Sequence, residues 1–469
     1  MRHYKVAIIG GGPAGYETAI KLNQLSINTI CFEKEHLGGV CLNKGCIPTK
    51  ALVKVADLYT DIKKANEFGI NVQDVSFDFE KIQKRKNLVV ERLRSGIEQL
   101  FQKSNISIQK AEITKIEKDS DLYKLYSGDE QCCSADYVII ATGSEPKPLP
   151  FSSVEDACNP YNKNILTSNE ILNIENLPES IAIIGGGVIG CEFASIFKQL
   201  GVQVTIIEFL PEILPTEDEE IAKKLSASLK KLGIKILTNT SVTSLSENMD
   251  NIEVHLSNNS SIITEKVLVS IGRNPVCNIE TKGFSLEKDK GFIKVNEYCQ
   301  TNEPNVFAIG DINGKLMLAH VATKQGMVVA DFLHASLNDN KKLEQHLKPI
   351  DYNAVPACIF TNPEVASCGL TEKNAKNICP EAIVTRFNYA ANGKAVASGV
   401  SNGFVKTIIN PLNNEIMGIH IIGYSATELI AQASIFINTK TNIQNIKNII
   451  YAHPTISETI LENCLSYKI

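Results

Sequence analysis

Residues 5–33 read KVAIIGGGPAGYETAIKLNQLSINTICFE. Residues 5–9 are an apolar run of strand length, as expected of a parallel strand buried on both faces. Gly10, Gly12 and Gly15 follow at the spacing of a dinucleotide-binding turn, 16–25 carry helical spacing, and the second apolar run, 28–32, ends at Glu33. Each glycine has a task in such a unit: the first makes the tight turn, the second lets the backbone approach a pyrophosphate, the third lets helix and strand pack closely. The helix start then offers unpaired N–H groups and a partial positive charge to the phosphates.

The same unit recurs. Residues 181–184 lead into Gly185, Gly187 and Gly190, a helix is expected over 191–200, and the strand 203–207 ends at Glu208. Glu33 stands 23 positions after Gly10, and Glu208 stands 23 after Gly185. A lone glycine fingerprint is weak, but two copies, each between strand and helix and each closed by an acid at that distance, are strong. The sequence therefore predicts an α/β chain with two Rossmann-like dinucleotide-binding domains. Glu208 favours NAD, because a carboxylate that accepts from a ribose hydroxyl repels a 2′-phosphate, and Phe209, Leu210 and Pro211 supply no basic clamp. Apolar runs ending in small-residue turns recur at 137–144, at 266–272 before Arg273-Asn274-Pro275, and at 306–311. A long polar helix is expected over 81–103, and from about 351 strand and helix patterns mix without a nucleotide motif, as in an α+β contact module.

Composition narrows the function. The length of 469 residues fits about three domains. Lys and Arg total 47 against 52 Asp and Glu, so the net charge of −5 argues against nucleic acid or an anionic membrane as partner. No apolar run approaches membrane-spanning length, and the chain runs from its first residues into a strand pattern, so a cytoplasmic protein is expected. Thirteen cysteines are scattered mostly singly, unlike a small secreted framework, and the ordinary reading of each is a small buried apolar side chain.

Cys41 and Cys46 differ. They lie in GGVCLNKGCIPTK, residues 38–50. Five residues of ideal helix rise about 7.5 Å, and a disulfide needs Cα atoms within about 7 Å. A bond between them requires a distorted turn, which Gly38, Gly39 and Gly45 permit. Such a bond would be redox-active rather than structural. On the residues alone, two free thiols in a glycine-rich loop remain the alternative. A zinc site lacks a second Cys/His pair at ligand spacing, so no metal is expected. His453 and Glu458 in YAHPTISE, 451–458, fit either an imidazole base oriented by a carboxylate or a histidine at a helix start.

The segment GGVCLNKGCIPTKAL closely resembles the redox-disulfide signature of the pyridine nucleotide–disulfide oxidoreductases. Both fingerprints, ATGS (141–144), IGRNP, AIGD followed by MLAH, and AHPTISE occur in that family's order, across essentially the whole chain. The resemblance implies FAD in the first fold, NAD in the second, and a carboxyl-terminal α+β module that makes an obligate homodimer. Its domains would be 1–148 (FAD, with the redox disulfide), 149–275 (NAD), 276–348 (central, completing the FAD site) and 349–469 (interface). The implied activity is oxidation of dihydrolipoamide with NAD+, the lipoyl group being carried by a lipoylated acyltransferase of a 2-oxo-acid dehydrogenase complex or by the lipoyl carrier of glycine cleavage.

Residue roles follow from the resemblance. Cys41 would exchange with the substrate dithiol and Cys46 would be the thiol beside the flavin. His453, reaching the disulfide from the partner subunit, would be the base, oriented by Glu458. FAD would be held by Gly10, Gly12, Gly15, Glu33, Lys50, Ala111, Thr142, Gly143, Ser144, Asp311, Met317, Leu318, Ala319 and His320. NAD would be held by Gly185, Gly187, Gly190, Glu192, Glu208, Val242 and Gly272, with Glu192 also pairing with Lys50. Some residues depart from the family's pattern. Tyr451 stands for a frequent histidine, Val40 for a threonine, Thr49 for a serine, Gln325 for a glutamate and Ala111 for a glycine. Tyr451 is expected to tune the base, Gln325 to shift the flavin or disulfide environment, and Ala111 to keep its backbone contact if its φ is negative. Relatives acting on glutathione disulfide would want basic residues at Glu208. Mercuric-reductase-like enzymes would want a cysteine pair where Cys464 stands alone. A non-catalytic flavoprotein would have no need to keep Cys41, Cys46, His453 and Glu458 together.

Overall fold

The computed structural model describes residues 2–150, 163–248, 251–339, 345 and 347–468. Two compact units divide the chain. One is built from Met1–Ala51, Lys81–Lys147 and Arg273–Ile350, the other from Leu52–Glu80, Pro148–Gly272 and Asp351–Ile469.

The first unit is organised by β1 (His3–Ile9), α1 (Pro13–Gln24) and β2 (Thr29–Glu33). β1 lies parallel between β2 and the long strand Glu130–Ile140, with Ile9 level with both Phe32 and Ile140. Val6, Ala7 and Ile8 are fully buried, which explains an apolar run without alternation. Glu130–Ile140 serves two partners on its other side. Its beginning pairs antiparallel with Leu122–Ser127, and its end pairs parallel with Val306–Ala308, Ala308 opposite Ile140. Residues far along the chain therefore complete this sheet. The helix Ala319–Leu337 packs on α1 through Ala14, Leu22, Ala322, Val329 and Leu333. A side chain at Gly326 would lie 2.0 Å from the Thr18 hydroxyl, so only glycine permits this approach.

In the second unit, Gln203–Ile207, Ser180–Ile184, Lys266–Val269 and Ile165–Leu166 form consecutive parallel pairs, with Lys235–Leu237 at the far edge. An antiparallel three-stranded sheet spans Val242–Asn248, Asn251–Leu256 and Ser261–Thr264. From Pro356 onward a five-stranded antiparallel sheet carries the helices Ala426–Asn438 and Glu458–Leu465 on a core of Ile409, Ile419, Ile421, Leu429, Ile430 and Ile460.

Helix starts differ from expectation for one reason. α1 begins at Pro13 and its counterpart at Val188, each with the second glycine as N-cap. The third glycine of each fingerprint, a weak helix former, sits inside the first turn because it must touch the strand. Pro13 suits the first turn, where an N–H would lack an intrahelical partner. The runs at 137–144 and 266–272 are extended only to Ile140 and Val269, then turn through Gly143 and Gly272, both with positive φ. The helix expected over 81–103 spans Phe79–Lys103.

Candidate active site

The two glycine loops are near copies. Gly10 has φ +109, and a side chain there would meet the Ala141 carbonyl oxygen at 2.2 Å. One on Gly15 would meet the Gly10 oxygen at 1.8 Å. In the second loop Gly185 would strike the Ser270 oxygen at 2.5 Å and Gly190 the Gly185 oxygen at 2.0 Å. The middle glycines behave differently. A side chain at Gly187 would meet nothing within 4 Å, and one at Gly12 would meet only the Gly39 Cα, at 3.9 Å. Each cradle is thus closed against its strand and open over its middle residue, as close approach of a pyrophosphate requires.

The closing acids lock the loops. Glu33 accepts from the Gly11 N–H at 2.7 Å and the Glu35 N–H at 2.7 Å. Glu208, buried, accepts from the Gly186 N–H at 2.6 Å and the Leu210 N–H at 2.7 Å. Each carboxylate oxygen carries one backbone donor and keeps acceptor capacity for a ribose hydroxyl. Val242, half-buried, begins a strand, and Gly272, φ +116, faces open space. Glu192 is buried on the helix Val188–Gln199 and accepts from the Phe360 N–H at 3.0 Å, a bond to the carboxyl-terminal sheet region that the sequence did not signal.

The cysteines sit on either side of a helix break. α2 (Gly39–Lys44) holds Cys41, α3 (Cys46–Lys63) begins with Cys46, and Gly45 between them has φ −150 and ψ −110. This is the distorted turn that the spacing demanded. The Thr49 hydroxyl donates to the Gly45 carbonyl at 2.7 Å, so threonine does at the break what serine's hydroxyl could do. α2 starts against the first cradle: the Gly38 N–H donates to the Gly11 carbonyl at 2.8 Å, and a side chain on Gly39 would meet the Gly12 Cα at 2.6 Å. Cys41 is half-buried and Cys46 exposed, and the two side chains lie within hydrogen-bond reach of each other. That contact, then burial, raises the Cys41 thiol far above its ordinary range, with the Lys50 ammonium opposing.

Asp311 lies in the short turn Gly310–Asn313 and accepts from the Ser144 hydroxyl. Arg273 donates to the Ser144 Oγ and to the Ser144 carbonyl, both at 2.7 Å. Thr142 donates to the Val276 carbonyl at 2.5 Å, and the Val276 N–H returns a bond to the Gly143 carbonyl at 3.0 Å. Gln325 is fully buried and accepts from the Gly310 N–H at 2.7 Å and the Asn313 amide at 2.9 Å, pinning the turn that presents Asp311. Leu318 caps the helix that begins with Ala319, with Met317 and His320 exposed beside it. Ala111 is not among the positive-φ residues, and its N–H donates to the Glu33 carbonyl at 3.1 Å.

His453 and Glu458 meet at 2.9 Å, Nδ1 to Oε1, and the other Glu458 oxygen accepts from the Thr455 N–H at 2.8 Å. Those two bonds, the backbone one first, hold the Glu458 carboxyl below the usual carboxylate range. Tyr451 donates to Gln432 Oε1 at 2.9 Å. Both members of this dyad belong to the second compact unit, and both cysteines to the first.

Residues 4–326 match the pyridine nucleotide-disulphide oxidoreductase family, and residues 355–464 match its dimerisation domain. The chain belongs to the pyridine nucleotide-disulphide oxidoreductases. It is 39% identical over 481 residues to a dihydrolipoyl dehydrogenase of Bacillus subtilis, covering 99% of this chain and 98% of that one. To a dihydrolipoyl dehydrogenase of Chlamydia pneumoniae it is 38% identical over 467 residues, covering 99% and 97%. In fold it is similar to the HOCl-induced flavoprotein disulfide reductase RclA of Escherichia coli, with a TM-score of 0.85, 24% identity and coverage of 99% and 100%. As a pyridine nucleotide-disulphide oxidoreductase the chain is a flavoprotein that uses FAD and NAD, and the open middle glycine of each cradle fits such groups. Reading the oxidoreductase's sequence missed Arg273 as a partner of Ser144; a lone arginine after an apolar run was the available signal. Among the described residues no group of three or more His, Cys, Asp and Glu is arranged to hold a metal, and no helix is long and apolar enough to cross a membrane.

Proposed function

We propose that this oxidoreductase is a dihydrolipoyl dehydrogenase, in which Cys41 and Cys46 alternate between disulfide and dithiol. The observation that carries the reading is the cysteine pair bridging the Gly45 break on a helix seated against the first glycine cradle. FAD, bound at the first cradle, would supply the two-electron chemistry that links the thiols to NAD+, for which the second cradle is the expected site. The Arg273–Ser144–Asp311 chain, Lys50 and the start of the helix Ala319–Leu337 would hold the flavin portion, and Glu33 and Glu208 the riboses.

The chain's own chemistry is proton and thiol transfer. His453 removes a proton from one thiol of dihydrolipoamide, since only a thiolate attacks a disulfide. That thiolate bonds to Cys41 Sγ and releases Cys46 as thiolate. The second substrate thiol gives its proton to the departing Cys41 sulfur as it attacks the substrate sulfur of the mixed disulfide, forming lipoamide and leaving the first proton on the His453 imidazolium. Two electrons enter the protein with each dithiol oxidised, and NAD+ leaves as NADH with one proton released. Glu458 holds Nδ1 of His453 as the donor, which leaves Nε2 as the base.

The reading includes a homodimer, consistent with the dimerisation domain, with His453 serving the partner's cysteines, and a lipoylated carrier protein of a cytoplasmic 2-oxo-acid dehydrogenase or glycine-cleavage system. The test is thiol counting in the denatured enzyme before and after anaerobic dihydrolipoamide. Two additional thiols per chain, absent in Cys46→Ser, are expected. No gain would refute the role of the pair.

A further inference from the structure

We propose that Asn392 and Gln432 are positioning residues for the His453 base, fixing its loop on both sides; the proposal rests on the function assigned above. His453 lies between the turn after Lys447 and the helix Glu458–Leu465, in a stretch without regular structure. Its side chain is 80% exposed, so packing within the subunit does not orient it. Hydrogen bonds do.

Two residues after His453, the Thr455 carbonyl accepts from Asn392 Nδ2 at 3.0 Å. Asn392 is itself immobilised. It is buried, its Oδ1 caps the helix Gly393–Ala397 by accepting from the Ala395 N–H at 2.9 Å, and its own N–H bonds the Tyr389 carbonyl at 2.9 Å. Tyr389 is fully buried in the sheet core. The Nδ2 donor is therefore aimed from a rigid base at the Thr455 carbonyl. Thr455 in turn passes order back to the dyad: its N–H bonds Glu458 and its hydroxyl bonds the Ala452 carbonyl at 2.8 Å. Two residues before His453, Tyr451 bonds Gln432 on the helix Ala426–Asn438, whose Leu429, Ile430 and Ala433 are core residues. Both clamps reach the loop that bears His453 from side chains of the carboxyl-terminal module. A base displaced by about 1 Å loses up to a hundredfold in rate, which gives the clamps a reason.

The experiment uses the full-length holoenzyme. Asn392→Ser keeps a good N-cap but cannot reach Thr455. Gln432→Met removes the acceptor for Tyr451, and Gln432→Glu keeps one. Turnover of dihydrolipoamide with NAD+ is compared with NADH oxidation by ferricyanide, which uses neither the cysteines nor the base. Asn392→Ser and Gln432→Met are each expected to lower kcat for dihydrolipoamide about tenfold or more, with KM, ferricyanide turnover and dimer mass changed less than about twofold. Gln432→Glu is expected to restore the rate. In a His453→Gln background neither clamp variant should cost anything further, because both act through His453. A loss shared by both reactions, a loss that persists in the His453→Gln background, or no loss at all would each overturn the proposal. If Asn392→Ser does not fold, the Gln432 series decides. A wild-type enzyme inert toward dihydrolipoamide but active with ferricyanide would refute the assigned function and this proposal with it.

Discussion

Replacing Glu458 by glutamine tests the base most sharply. The carboxylate uses one oxygen for His453 Nδ1 at 2.9 Å and the other for the Thr455 N–H at 2.8 Å. A glutamine has one oxygen. If that oxygen keeps the Thr455 N–H, the amide NH2 faces His453, and Nδ1 must turn from donor to acceptor. The ring proton then sits on Nε2, and the nitrogen assigned as base is occupied. If the oxygen faces His453 instead, an NH2 group opposes the Thr455 N–H and the turn opens. Either way the base is lost or misplaced. A positioned base contributes about 10²- to 10⁴-fold. The imidazole itself is retained and can still offer a ring nitrogen in part of its orientations, so the loss should lie near the lower bound. A fall of about a hundredfold in the rate of disulfide reduction by dihydrolipoamide is expected in rapid mixing. Ferricyanide-linked NADH oxidation should stay at the wild-type rate. Reduction by Glu458→Gln within about threefold of wild type would refute the reasoning, because that factor falls below any useful contribution from a base.

The other predictions address the cradles and thiols. Gly187→Ala should fold normally and raise the KM for NAD+, since its side chain meets only open space, whereas Gly190→Ala, forced to 2.0 Å from a carbonyl oxygen, should lower Tm sharply; thermal melts and NAD+ titrations separate the two. Glu208→Gln sets an amide NH2 against one of two backbone donors, so it should destabilise the second unit by about 1–3 kcal/mol in urea melts and narrow the preference for NADH over NADPH. Cys46→Ser should abolish dihydrolipoamide turnover while ferricyanide reduction persists. The Glu458 carboxyl should titrate below the ordinary glutamate range by NMR, because the Thr455 N–H and His453 favour its charged form. Its bond to His453 is therefore present throughout the neutral range, and is lost only as pH falls through that depressed value.

Much of the site was legible because its geometry is local. Gly10, Gly15 and their counterparts are dictated by carbonyl oxygens that a side chain would meet at 1.8 to 2.5 Å, so no other residue fits, and the pattern survives as letters in the sequence. A bond between Cys41 and Cys46 was expected to require a distorted turn, and the break at Gly45 supplies one. What the sequence concealed was assembled by distant segments. Val306–Ala308 joins a sheet begun at His3, and Arg273 finds Ser144 across a short antiparallel pairing. Gln325 pins the Asp311 turn. Asn392 and Gln432 look like ordinary surface amides until the fold brings them to the loop that bears His453. Helix starts were misjudged by one turn because helix propensity penalises glycine, while the close contact with the strand requires it.

The most direct measurement is steady-state NADH formation from dihydrolipoamide and NAD+ by the purified yellow dimer, run beside NADPH with glutathione disulfide. Rapid NAD+-linked turnover, with little NADPH-dependent reduction of glutathione disulfide, is the predicted result. NADPH-dependent disulfide reduction without dihydrolipoamide turnover would contradict the account. So would silence in both assays from a protein that binds FAD.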